Sequence, residues 1–115
     1  MIRTQEEMLR DVQEKVRDGQ GKVEFLHLFT KEELGSKTRL CAKTTLPPGS
    51  SIGLHPHHEE EEVYYILRGK ARVNDNGTVR DLGPGDAVLT GGGSSHSIEN
   101  IGDEPLEVLA IIIPF

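Results

Sequence analysis

A chain of 115 residues with 35% hydrophobic and 28% charged side chains has the size and composition of one soluble unit built around a single core. Its net charge of -6 excludes a phosphate-neutralising surface, so neither nucleic acid nor anionic lipid is an expected partner. The lone cysteine, Cys41, excludes an internal disulfide; no apolar run reaches membrane-spanning length and no secretion signal precedes the first element, which points to the cytoplasm.

Taken in chain order, Thr4 to Arg17 predicts an α-helix. Thr4 and Glu7 match a capping box, Met8, Val12 and Val16 make a narrow apolar stripe, and Gly19 and Gly21 end the element. From Lys22 the texture changes to short β-branched segments between turn signals. Strands are expected at residues 23–29, 38–46, 51–57, 63–67, 71–74, 79–82, 87–90, 96–100 and 106–113. Pro47-Pro48-Gly49, Asn76-Gly77, Gly83-Pro84-Gly85 and Gly91-Gly92-Gly93 supply the turns, with Asn76-Gly77 the signature of a tight hairpin. Many short strands at regular spacing describe an all-β sandwich or barrel. The last strand loses its alternation after Glu107. Apolar on both faces, it offers a homodimer surface shared with the N-terminal helix.

The chemistry concentrates in residues 53–69, GLHPHHEEEEVYYILRG. On a strand, His55 and His57 share one face, roughly 6.5–7 Å apart, and His58 points to the other. A carboxylate from the following glutamates can join them on one ion, and two imidazoles with a carboxylate leave open positions for a ligand. Strand period does not separate Glu61 from Glu62. His96, after the glycine-rich turn at residues 91–93, is the candidate fourth ligand if the two segments face each other. His27 reads as a structural histidine, Glu59, Glu60 and Glu61 as a solvated turn, and Cys41 as an inert buried thiol. Tyr64 has the parity of Glu62 and is the candidate catalytic residue, whereas Tyr65 faces away. Arg39 and Lys43 can hold a substrate carboxylate, with solvent exposure the expected alternative.

These segments resemble the cupin superfamily. Its first motif, Gly-x5-His-x-His-x(3,4)-Glu-x6-Gly, is met by Gly49, His55, His57, Glu62 and Gly69. Its second, Gly-x5-Pro-x-Gly-x2-His-x3-Asn, is met by Gly85, Gly93, His96 and Asn100, with Gly91 standing where the family has proline. The resemblance selects Glu62, which lies the required distance before Gly69. It implies a double-stranded β-helix jelly-roll barrel over residues 22–115, preceded by a helix and linker over 1–21, in one cupin domain. It also implies one divalent transition metal on His55, His57, Glu62 and His96, and a tendency to dimerise. Three imidazoles and one carboxylate suit iron, manganese or nickel, with zinc and copper compatible. The expected function is a metalloenzyme acting on a small organic acid, sugar or phenolic, as a dioxygenase, decarboxylase, lyase or isomerase; the alternative is a non-catalytic module that binds or senses a small ligand through its metal.

Overall fold

A computed structural model describing residues 1–115 contains ten β-strands in two antiparallel sheets. In chain order they are β1 (Leu9–Glu14), β2 (Lys22–His27), β3 (Leu40–Leu46), β4 (Ser51–Pro56), β5 (Glu60–Arg68), β6 (Ala71–Asp75), β7 (Thr78–Leu82), β8 (Ala87–Gly91), β9 (Ser95–Asn100) and β10 (Leu106–Pro114). One sheet has six strands in the order β1-β2-β3-β10-β5-β8, and the other has four in the order β4-β9-β6-β7. The interleaved order is that of a jelly roll. The expected jelly-roll fold is present, and its barrel takes an open form in which the two sheets face each other without joining into one hydrogen-bonded cylinder. Each sheet keeps two free edges, which a hydrogen-bonded cylinder would have eliminated.

The α-helix expected over Thr4–Arg17 does not form. Thr4 Oγ1 does donate to Glu7 Oε1 (2.9 Å), but the result is a single 3-10 turn at Gln5–Glu7. Residues 9–14 instead become β1, paired in register with β2 from Leu9↔His27 to Glu14↔Lys22. A tertiary demand has overridden local propensity: without β1, one edge of β2 would present unpaired backbone groups. The apolar stripe was a weak guide, since Val12 remains 54% exposed on the strand. Arg10 pairs with Glu24 across the ladder at 3.0 Å, the kind of cross-strand contact that favours the extended form.

From β2 onward the elements fall where alternation and turn chemistry place them. The β6–β7 hairpin turns at Asn76 and Gly77, both at positive φ (49° and 93°), as a two-residue hairpin of this handedness requires. Strand β10 lies in the middle of the large sheet, between β3 and β5. Its Leu106, Val108, Ala110 and Ile112 are buried, while Leu109 and Ile111 on the opposite face are half-exposed and Ile113 is exposed.

The interior is graded along its length. On β5 the inward set runs from Ile66 through Tyr64 to Glu62, on β9 from Ile98 to His96, and on β4 from Ile52 to His55. The apolar ends of these strands pack with Val23, Leu46, Leu106 and Val108 into one core. Each fully buried aliphatic side chain contributes about 1.5–3 kcal/mol there. The polar ends all point to the same extremity of the sandwich. The core therefore acts as the rigid base on which a polar cluster is mounted.

Candidate metal centre

His55, His57, Glu62 and His96 meet at that polar end. All four are buried, with exposures of 7%, 2%, 4% and 0%. Their ligand atoms lie within 4.8 Å of one another. His57 Nε2 is 2.9 Å and His96 Nε2 3.0 Å from Glu62 Oε1, and the two Nε2 atoms are 3.1 Å apart. Donor atoms each about 2.1 Å from a shared ion stand roughly 3 Å from one another, so the spacing suits a metal without rearrangement. The three imidazoles are held nearly edge to face, with centroids 4.8 to 4.9 Å apart, which aims their nitrogens rather than stacking their rings.

The strands reach this arrangement by a device that simple alternation does not contain. Ile52 opposes Ile98 and His55 opposes His96, so β4 spends three steps where β9 spends two. The extra residue is a β-bulge at Gly53–Leu54, and it turns His55 inward beside Ile52. The Gly53 carbonyl, freed from the ladder, accepts the Nδ1 proton of His55 at 2.7 Å. Glu60 does the same for His57, accepting from Nδ1 at 2.5 Å. With Nδ1 donating to these acceptors, each ring turns its Nε2 to the centre, where it offers a lone pair to an ion once any proton there has left. His96 Nδ1 is buried without a partner, and its ring is oriented instead by Tyr64, stacked on it at 4.8 Å and 5°.

The protonation states follow from these contacts. Burial pushes the Glu62 carboxyl up, but His57 and His96 hydrogen-bond its anion and the net shift is downward. His57 is raised, first by its hydrogen bond to Glu62 and, against the cost of burial, by Glu60. His55 is lowered by burial and by the neighbouring imidazoles. Arg39 grips Glu60 through Nε and Nη2 at 3.0 and 2.9 Å and holds its carboxyl down to about 2. Burial, reinforced by the Glu62 charge, lifts the Tyr64 hydroxyl well above the usual phenol range, so it stays protonated.

A cavity of about 220 Å³ opens over the cluster. His55, His57, Glu62 and Tyr64 form its floor, with Ile52, Leu40 and Ile112 among its apolar walls. Tyr64 faces inward and Tyr65 is 42% exposed on the outer face, as their parity predicts. His58 is exposed, as expected. Glu60 departs from its expected solvated turn: it lies on β5 and orients a ring of the cluster. His27 is half-buried and lines the cavity. Of the two candidate carboxylate binders, Arg39 reaches the cavity wall, while Lys43 pairs with Glu107 at 3.7 Å on the outer face. Cys41 is half-buried, and burial raises its thiol.

The sequence did not disclose that Asp11, Gln13 and Arg17 also line this cavity, because a helical reading detaches them from the sheet. Gly53, an isolated glycine within a strand pattern, was the available signal for the bulge. Asn100 serves the fold: its Nδ2 donates to the carbonyls of Leu46 and Glu104, both at 2.8 Å, tying down the loop before β10.

Comparison with known proteins agrees with this geometry. No helix is long and apolar enough to cross a membrane. An oxalate-binding protein of Thermotoga maritima is 51% identical over 98 residues, covering 85% of this chain and 81% of that protein. The crystal structure of a predicted oxalate decarboxylase from the same organism superimposes with a TM-score of 0.94 at 45% identity, over 100% of both chains. Oxalate decarboxylase of Bacillus subtilis is 38% identical over 81 residues, which are 66% of this chain but only 21% of that enzyme. The model of the cupin domain matches residues 42–112, which contain all four converging side chains. Motif spacing, two-sheet fold and buried quartet therefore agree, and the chain belongs to the cupin family.

Proposed function

We propose that this protein is a mononuclear metal-dependent cupin that holds a small organic acid of the oxalate class. His55, His57, Glu62 and His96 are the ligands of one divalent transition metal, with iron, manganese and nickel favoured over zinc and copper by the donor set. The observation that carries the reading is the convergence of four buried donors, three of which, His55, His57 and Glu62, line a cavity of about 220 Å³. Such a metal supplies Lewis acidity to the oxygens of a bound acid. The chain supplies the rest. Ile52, Leu40 and Ile112 limit water beside the acid, and Tyr64, protonated and in the floor, donates a hydrogen bond to it. The relative named as an oxalate-binding protein supports the choice of ligand.

Turnover at the same site is the second reading, favoured by the position of Tyr64 in the floor beside Glu62. Protein purified without an affinity tag is expected to carry about one equivalent of metal. Oxalate should bind the loaded form and not the chelated form in calorimetry. Binding that survives chelation, or no metal at any stoichiometry, would sink the proposal. Formate and carbon dioxide release from oxalate then separates an enzyme from a binding module.

The outer face of the large sheet supports a further proposal, a homodimer. Leu109 stands beside Tyr65, and Ile111 beside Val63, which in turn faces Leu89. Tyr65, Leu67, Leu89 and Ile113 are 42%, 42%, 61% and 41% exposed. A continuous apolar strip of this kind marks an interface more often than solvent-facing surface. The expected share of an N-terminal helix is dropped, since β1 takes its place. Light scattering should give twice the chain mass, falling to one chain in Ile111→Glu; a monomeric wild type rules the dimer out.

A further inference from the structure

Between β1 and β2 the chain takes an unusual path at the cavity mouth. Lys15, Arg17 and Asp18 all adopt left-handed conformations, at φ 51°, 52° and 63°. Each costs a residue with a Cβ about 1–2 kcal/mol, so the surroundings must impose them. They do so through β4. Ser51 N–H donates to the Gln20 carbonyl, and Gln20 N–H donates to Ser51 Oγ, both at 2.9 Å. Gly53 lets the backbones touch: a Cβ there would meet the Arg17 carbonyl oxygen at 1.9 Å. The position of Arg17 is thus dictated by the same bulge whose carbonyl orients His55.

Arg17 is exposed and is among the residues that line the cavity. The two cations of the wall differ in one respect. Arg39 is committed to Glu60 through two hydrogen bonds, whereas Arg17 has neither an ion pair nor a hydrogen bond of its own. The other charged group at the mouth, Asp11, accepts from Gln13 Nε2 at 2.8 Å. An uncommitted guanidinium at the mouth of a cavity with a metal-suited floor has the chemistry needed to receive the outward end of an anion whose other end the floor holds.

We propose that Arg17 is a specificity-determining residue: it receives the second anionic group of the bound acid, so that the site selects dianions over monoanions of similar size. The inference rests on the acid-binding reading above and adds a residue and a charge class to it. Oxalate and glycolate test it, since both can chelate a metal and only oxalate carries a second carboxylate.

Manganese-loaded wild type should bind oxalate more tightly than glycolate in calorimetry. Arg17→Gly should lose about tenfold in oxalate affinity, the value of one charge-assisted contact, with glycolate held within about twofold. Glycine accepts a positive φ freely, so this variant should melt no lower than wild type. Arg17→Lys should recover part of the oxalate affinity. Unchanged oxalate binding in Arg17→Gly, an equal loss for both acids, or a wild type that does not distinguish them would overturn the assignment. If loaded wild type binds neither acid, the acid-binding reading fails in the wild type itself and the Arg17 assignment falls with it.

Discussion

Glu62→Gln is expected to abolish tight metal binding while leaving the sandwich folded. The glutamine keeps the volume of the side chain but removes the anion on which His57 and His96 converge. Loss of an outer-shell partner typically costs about 10–100-fold in metal affinity, and loss of the one anionic donor among four should exceed that. In wild type, metal at about a hundred times its dissociation constant adds roughly 2.7 kcal/mol of stability. For a chain of this size that corresponds to a shift in Tm on the order of 10 °C. Chelation should therefore lower the wild-type Tm and leave that of Glu62→Gln unchanged. One tightly held metal equivalent in the variant would refute the four-ligand assignment.

The same experiment carries a pH signature. In the metal-free protein the His57 pKa is raised, by its hydrogen bond to Glu62 and then by Glu60. A raised folded-state pKa stabilises the metal-free fold below the unfolded value, near 6.5, and that contribution is lost as pH rises through the folded value. Metal needs the deprotonated ring, so it competes with the proton and binds better as the proton leaves. The Tm increment due to metal should accordingly widen from acid to mildly alkaline pH. A flat increment would mean that His57 is not a ligand.

Gly53→Ala is expected to damage fold and site together. A Cβ at this position meets the Arg17 carbonyl oxygen at 1.9 Å and Gly19 N at 3.0 Å. Both obstacles are backbone, so no side-chain rotation relieves them. Overpacking of this kind costs about 1–3 kcal/mol, and a clash so deep belongs at the upper end. Since the Gly53 carbonyl is the acceptor for His55 Nδ1, its displacement should also weaken metal binding by roughly tenfold or more. Gly35→Ala is the matched control, with nothing within 4 Å of the new Cβ. Paired melting curves and metal titrations decide the matter: if Gly53→Ala melts and loads like wild type, the bulge is not what seats His55.

Much of the molecule is legible in its residues because the relevant signals are local. Alternation of apolar and polar side chains reports which face of a strand is covered, and Asn76-Gly77 reports a backbone conformation that few other pairs adopt. Those signals place β2 to β10. The quartet is legible for a different reason: its residues stand at the spacing of the two cupin motifs that the chain resembles, and in the first of these the interval to Gly69 points to Glu62 rather than Glu61. Tyr64 and Tyr65 part company by strand alternation.

What escapes this reading depends on neighbours distant in the chain. Residues 9–14 have no strong strand signal of their own and become β1 because β2 offers an edge. Glu60 looks like one solvated glutamate of four until β5 is seen to start there and bring it to His57 and Arg39. The bulge at Gly53 exists because β4 must match β9 while its backbone packs against Arg17. The sequence by itself determined an all-β chain with three histidines and one glutamate of the cupin pattern. Only the tertiary structure decided that the two sheets stay open, and that Arg17, Arg39 and Glu60 stand around the centre. Strand faces follow from local backbone geometry, whereas edge pairing, bulges and cavity walls arise only where separate strands meet.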